Sequence, residues 1–117
     1  MKVVAVIQAR MGSTRLPGKV MMDLGGKPVL SWVVRAAQAA PGVDEVWVAT
    51  STEPNDIQIE TWCTLSKVKC FRGSETDVLS RFAGVANKAP ANIYLRLTAD
   101  CPFLDPQVIG AVVRLAK

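Results

Sequence analysis

A chain of 117 residues, half of them apolar, can bury one core and makes one domain rather than two; 14 basic against 10 acidic residues leave a net charge of +4, which favours anionic partners without the charge density of a nonspecific nucleic-acid binder. No apolar run approaches the roughly 20 residues that cross a bilayer, and Val3 to Ile7 is too short for the apolar part of a signal peptide, so no membrane is expected and the expected compartment is the cytoplasm. The lack of histidine excludes Ser-His and Cys-His nucleophiles and imidazole-bound metals, while Cys63, Cys70 and Cys101, an odd set without metal-ligand spacing, point to free thiols in a reducing compartment.

Val3 to Ile7 is an unbroken run of β-branched residues and alanine, the pattern of a strand covered on both faces. A basic loop and a Gly25-Gly26 turn follow; then Pro28 can occupy a first helical turn, and Val29, Trp32, Val33, Ala36, Ala37 and Ala40 recur at helical spacing until Pro41-Gly42. Val46 to Thr50 predicts a second strand, Pro54 to about Leu65 a helix, and Val68 to Phe71 a third strand. Ser74 with Asp77 resembles a capping box ahead of a helix carrying Val78, Leu79, Phe82, Val85 and Ala86. Ile93, Leu95 and Leu97 predict a fourth strand, and Asp105-Pro106 caps a last helix with Val108, Ile109, Val112 and Val113. Alternating strands and helices of these lengths predict an α/β fold, a Rossmann-like parallel sheet with helices on both faces.

Ligands of such sheets bind beyond the carboxyl ends of the strands. The segments expected there are the loop after strand one, Ser51-Thr52, Arg72-Gly73-Ser74 and Thr98 to Pro102. The first, QARMGSTRLPGKV at residues 8–20, holds Arg10, Arg15 and Lys19 without an intervening acid. It is not a Walker A loop, because five residues rather than four separate Gly12 from Gly18 and Val20 follows Lys19; nor do the glycines spell a dinucleotide fingerprint. What remains is a glycine-containing loop presenting backbone N–H groups, a guanidinium fork and an ammonium, equipment suited to a polyphosphate. A solvated loop whose cations hold nothing is the plain alternative.

The stretch QARMGSTRLPGKV, continuing as MMDLGGKPVL, resembles the N-terminal signature of the cytidylyltransferases that activate acidic sugars, especially the branch named for spore coat polysaccharide biosynthesis protein F. VDEVWVATS, FRGSETDVLSRF and YLRLTADCPFLDP extend the resemblance over almost the whole chain. It implies the nucleotide-diphospho-sugar transferase type of fold, and a loop that wraps the phosphates of CTP through Arg10, Gly12, Ser13, Arg15 and Lys19, with Gln8, Ala9 and Arg10 near the base and ribose. Arg15 and Lys19 are the implied catalytic pair, stabilising the departing pyrophosphate as a sugar hydroxyl attacks the α-phosphorus to form a CMP-sugar. Asp100, in Thr98-Ala99-Asp100-Cys101-Pro102, is the implied holder of Mg²⁺, a hard cation that takes one or two carboxylates plus phosphate oxygens; a turn-forming aspartate is its plain alternative. Members of the family look about twice as long, so residues 1–117 are expected to be a single α/β nucleotide-binding domain, the truncated N-terminal part of a longer catalytic domain whose later half would bring sugar-binding residues and a homodimer contact.

Two other functions compete: a nucleotide-binding module without catalysis, and a nucleic-acid-binding domain, the latter disfavoured by only three loop cations. Arg72, Ser74, Glu75 and Asp77 are candidates for contacts to nucleotide or sugar, although capping also explains Ser74 and Asp77; Arg96 could touch nucleotide or merely pair with an acid. Trp32, Trp47 and Trp62 are expected to be structural.

Overall fold

The computed structural model describes residues 2–12, 18–74 and 76–99. Strand β1 (Val3–Gln8) is the axis of the fold, with Val3 to Ile7 wholly excluded from solvent. Its exclusion follows from pairing on both edges. Strand β4 (Glu45–Ser51) runs parallel to it on one side, in the register Val4↔Glu45 to Gln8↔Ala49. Strand β6 (Ile93–Thr98) runs parallel on the other, Val3↔Ile93 to Gln8↔Thr98. Strand β5 (Lys69–Gly73) adds to the far edge of β4, giving the order β5-β4-β1-β6.

Side chains alternate across such a sheet, so β1 feeds two cores. Ala5 and Ile7 pack with Leu30, Val33, Val34 and Ala37 of α1 (Val29–Ala39) and with Ile59 and Cys63 of α2 (Ile57–Leu65). Val4 and Val6 pack with Phe82, Val85 and Ala89, of which the first two belong to α3 (Val78–Lys88). Two helices therefore cover one face and one the other, the layered α/β arrangement expected from the alternation of periods. Between β1 and α1 lies a small hairpin, β2 (Asp23–Leu24) and β3 (Lys27–Pro28). Gly25 and Gly26 both have positive φ, 64° and 89°, which a tight two-residue turn of this hand requires. Trp32 Nε1 donates to Leu24 O at 2.7 Å and fastens the hairpin to α1.

Several boundaries differ from the sequence reading. Pro28 is the N-cap of α1 rather than a first-turn residue, in extended backbone at φ −63° and ψ 150°. Pro54 opens a 3₁₀ turn, Pro54–Asp56, before α2 begins at Ile57. The cap of α3 is Asp77, whose Oδ1 accepts from Ser80 N at 3.0 Å; Ser74 stands outside the helix, its Oγ accepting from Asp77 N at 3.1 Å. The serine steers the chain into the cap instead of capping. The expected last helix after Asp105-Pro106 lies outside the described residues.

Candidate functional site

Strand order reverses at β1: β4 and β5 extend the sheet to one side, while β6, next in sequence, returns to the other side. A crevice opens beyond the carboxyl ends of two strands at such a reversal. Here it is a cavity of about 180 Å³, walled by Gln8, Ala9 and Arg10 as the chain leaves β1 and by Thr98 and Ala99 as it leaves β6. Val20 closes one side and Arg81 of α3 another. Ala99 N donates to Gln8 O and Ala9 N to Ala49 O, each at 3.0 Å, so the ladder holds the cavity floor rigid to the last residue.

Gln8 and Arg81 set the polarity of this space. Arg81 is 2% exposed, and its Nη1 donates to Ser74 O at 2.7 Å while Nε donates to Gln8 Oε1 at 3.2 Å. With its oxygen taken, Gln8 has a buried Nε2 that finds no partner among the described residues, a donor in the wall of the cavity. Burial disfavours the charged form of Arg81 and lowers its pKa, and Arg10 and Arg96 add repulsion, partly offset by Asp56 and Asp77. Arg10 and Arg96 thus each lie close enough to act on Arg81, and of the three Arg10 and Arg81 line the opening.

The basic loop closes at its neck. Met11 O accepts from Gly18 N at 2.7 Å, and Met11 N donates to Asp56 Oδ1 at 2.7 Å. Gly18 turns the returning chain at φ 77°, where an L side chain would be strained. Lys19 then starts a 3₁₀ turn, Lys19–Met21, which buries Val20 against the core. Gly12 stands beside Arg10 in a neighbouring hollow of about 250 Å³ that also takes in Glu53 and Asp56.

Of the residues singled out from sequence, Gln8, Ala9 and Arg10 come together in the cavity wall, Gly12 adjoins Arg10, and Lys19 precedes a cavity residue in the chain. Ser13, Arg15 and Asp100 lie outside the described residues, as do Glu75 and Cys101. Arg72 is not in the cavity: its Nε and Nη2 donate to Ser51 O and Glu53 O, each at 2.8 Å, and its Nη1 lies 3.6 Å from Glu60 Oε1. It is a strap over the link from β4 to α2. Arg96 is exposed on β6. Trp32 and Trp47 act structurally through their indole N–H groups, to Leu24 O and Glu45 Oε1, and Trp62 packs against the core. Cys63 and Cys70 are free thiols.

Sequence reasoning missed Arg81. Its signal was nonetheless present: Arg81 falls within the apolar stripe of Val78, Phe82 and Val85, three after the first and four before the last, where an arginine has no business unless something holds it.

Residues 4–117 match the family model described as cytidylyltransferase. The chain belongs to the cytidylyltransferase family. It is 41% identical over 113 residues to the spore coat polysaccharide biosynthesis protein SpsF of Bacillus subtilis, covering 93% of this chain and 47% of that relative. A solved cytidylyltransferase from Leptospira borgpetersenii superposes with a TM-score of 0.92 at 36% identity, over 98% of this chain and 48% of that one. The structure of CMP:2-keto-3-deoxy-manno-octonic acid synthetase complexed with CTP superposes at 0.85 with 33% identity, over 97% of this chain and 46% of that one. This cytidylyltransferase chain therefore spans about half the length of the relatives it matches. The strand order, with its switch at β1, is the architecture it shares with the nucleotidyltransferases among them. Among the described residues no helix is long and apolar enough to cross a membrane.

Proposed function

We propose that this chain holds CTP for a cytidylyltransferase that moves CMP onto a sugar and releases pyrophosphate. The observation that carries the reading is Gln8: it lines a cavity of about 180 Å³ at the switch point of the sheet, and its buried Nε2 has no partner among the described residues. Cytosine presents two adjacent acceptors, O2 and N3, on the edge it would turn toward such a donor. Arg10 and Arg81 in the cavity wall raise the positive potential where a triphosphate would enter. Arg15 and Lys19 of the basic loop are assigned to the phosphates.

In the transfer, a sugar hydroxyl attacks the α-phosphorus and gives up its proton to solvent, the bond to the bridging α–β oxygen breaks, and pyrophosphate departs with that electron pair. The protein's part is positioning and cationic stabilisation of a phosphoryl group whose charge moves to the leaving oxygens. Gln8 fixes the base, the loop neck at Met11 fixes the path of the phosphates, and Arg15 and Lys19 meet the charge that develops on pyrophosphate. Mg²⁺ is assigned to Asp100 together with phosphate oxygens, where it would supply Lewis-acid polarisation of the phosphates. One carboxylate suits a cation that brings its other ligands with the nucleotide, and Asp100 directly follows Ala99 of the cavity wall in the chain. Transfer is proposed of the whole protein, acting on an acidic sugar in the cytoplasm, because the relatives are about twice as long as this chain.

Calorimetric titration with CTP and Mg²⁺ tests the reading. Binding is expected for the wild-type chain and a loss of about tenfold or more in Arg15→Ala and Lys19→Ala, the scale of one charge-assisted hydrogen bond. No binding of CTP, or binding indifferent to both substitutions, would sink it.

A further inference from the structure

Asp56 stands outside the cavity, yet it is 2% exposed and spends both carboxylate oxygens on the neighbourhood of the basic loop. Its Oδ1 accepts the Met11 N–H at 2.7 Å, and its Oδ2 accepts the hydroxyl of Ser51. Its place in the chain is the N-cap of α2, where an aspartate ordinarily bonds the first free N–H groups of the helix; here no such bond forms. The carboxylate has turned away from its own helix toward a loop 45 residues distant in sequence.

The bonded chain continues on both sides. Ser51 Oγ also accepts from Glu53 N at 3.1 Å, and Ser51 O accepts from Arg72 Nε at 2.8 Å, so the end of β4, the 3₁₀ turn and β5 brace the carboxylate. On the loop side, the residue whose N–H Asp56 holds is the same Met11 whose carbonyl closes the neck with Gly18 N. Both backbone groups of Met11 are therefore fixed, one by Asp56.

We infer that Asp56 is a positioning residue for the triphosphate: it anchors Met11 at the neck of the basic loop, so that Gly18 and Lys19, where the chain returns through that neck, meet the phosphates from backbone already held in place. The inference rests on the reading of the cavity as a CTP site. Fixing the neck before a ligand arrives removes its ordering cost from the binding step, and that gain falls on the phosphates, since Gln8 and Ala9 are held by the sheet. A merely structural Asp56 would affect nucleoside and nucleotide alike.

The test compares affinities for CTP and for cytidine, by chemical-shift titration of the full chain, in the wild type, Asp56→Ala, Asp56→Asn and Ser51→Ala. Expected is a loss of about tenfold in CTP affinity for Asp56→Ala, with cytidine affinity held within about twofold on the same scale. Asp56→Asn, which keeps an acceptor for the Met11 N–H, should recover most of the loss. Should Asp56→Ala fail to fold, Ser51→Ala, which frees the carboxylate to swing, is expected to reduce CTP affinity selectively by a smaller factor. Equal losses for both ligands, or no loss in any folded variant, overturn the inference while leaving the CTP reading intact. A wild-type chain that binds CTP no better than cytidine overturns the reading and the inference with it.

Discussion

Arg81 Nε donates to Gln8 Oε1 across 3.2 Å, tying α3 to the carboxyl end of β1 and deciding which way the glutamine amide faces. The reverse orientation would set the amide N–H₂ group against the guanidinium, so that group is turned away from Arg81. Gln8→Glu separates the two roles of this residue. The carboxylate keeps, and strengthens, the bond to Arg81 but removes the donor from the cavity and adds a negative charge there. The expected result is undiminished stability in urea denaturation with CTP affinity reduced by about tenfold or more. A variant that binds CTP as tightly as the wild type would remove Gln8 from the site.

Gly84 lies in α3, and a Cβ built there would come 2.2 Å from Phe71 Cζ of β5. Alanine in a helix interior is favoured over glycine by about 1 kcal/mol. Forcing a methyl into the ring costs typically about 1–3 kcal/mol, and an overlap this deep belongs to the upper part of that range. Gly84→Ala should therefore destabilise the fold by about 1–2 kcal/mol, read from urea midpoints. Adding Phe71→Leu should return part of that loss if the ring is the obstacle.

Glu45 gathers two cations and an indole N–H at the opposite end of the sheet from the cavity. Lys2 Nζ lies 2.9 Å from Oε2, while Lys69 Nζ and Trp47 Nε1 meet Oε1. The hydrogen bond from Lys69, then that from Lys2, hold its pKa down at about 2 from an ordinary 4.5, with Trp47 adding to them against a small opposing effect of burial. A carboxylate depressed in the folded state contributes stability that is fully present above its unfolded pKa and lost as pH falls through the folded one. Thermal melting should accordingly fall off between pH 4.5 and about 2 more steeply in the wild type than in Glu45→Gln. Parallel curves for the two proteins would refute the assignment.

Cys63 on α2 and Cys70 on β5 share a hydrogen bond in which Cys63 retains the proton; that bond and burial push the Cys63 thiol up, while the same bond pulls Cys70 down. Thiolates are the reactive form. In a Cys101→Ser background, maleimide should modify Cys70 well before Cys63, and peptide mapping by mass spectrometry reads the order directly. Prior reaction at Cys63 would contradict the shared bond.

What could be read from the sequence was what repeats locally. Val3 to Ile7 announced a central strand because β-branched residues without alternation fit a strand covered on both faces, and α1 and α3 were legible from the spacing of Val33, Ala37, Phe82 and Val85. The order β5-β4-β1-β6 was not, because pairing partners as distant as Val3 and Ile93 leave no periodic trace. Gln8, Ala9 and Arg10 were marked by the family resemblance of the loop they open, which follows a buried strand. Asp56 was invisible for a different reason: an aspartate after Pro-Asn at a helix start has an ordinary local explanation, and its actual partner, a backbone N–H, carries no side-chain signature at all.

The two neighbours of β1 begin at Glu45 and Ile93, so a strand wholly withdrawn from water is synthesised before both of its partners and is among the last to be fully sheathed. Until some ninety further residues have emerged, one flank of Val3–Ile7 offers bare amides to any passing strand. A nascent copy thus carries an uncovered strand until β6 emerges, and shielding that strand during synthesis guards it against pairing with a neighbour.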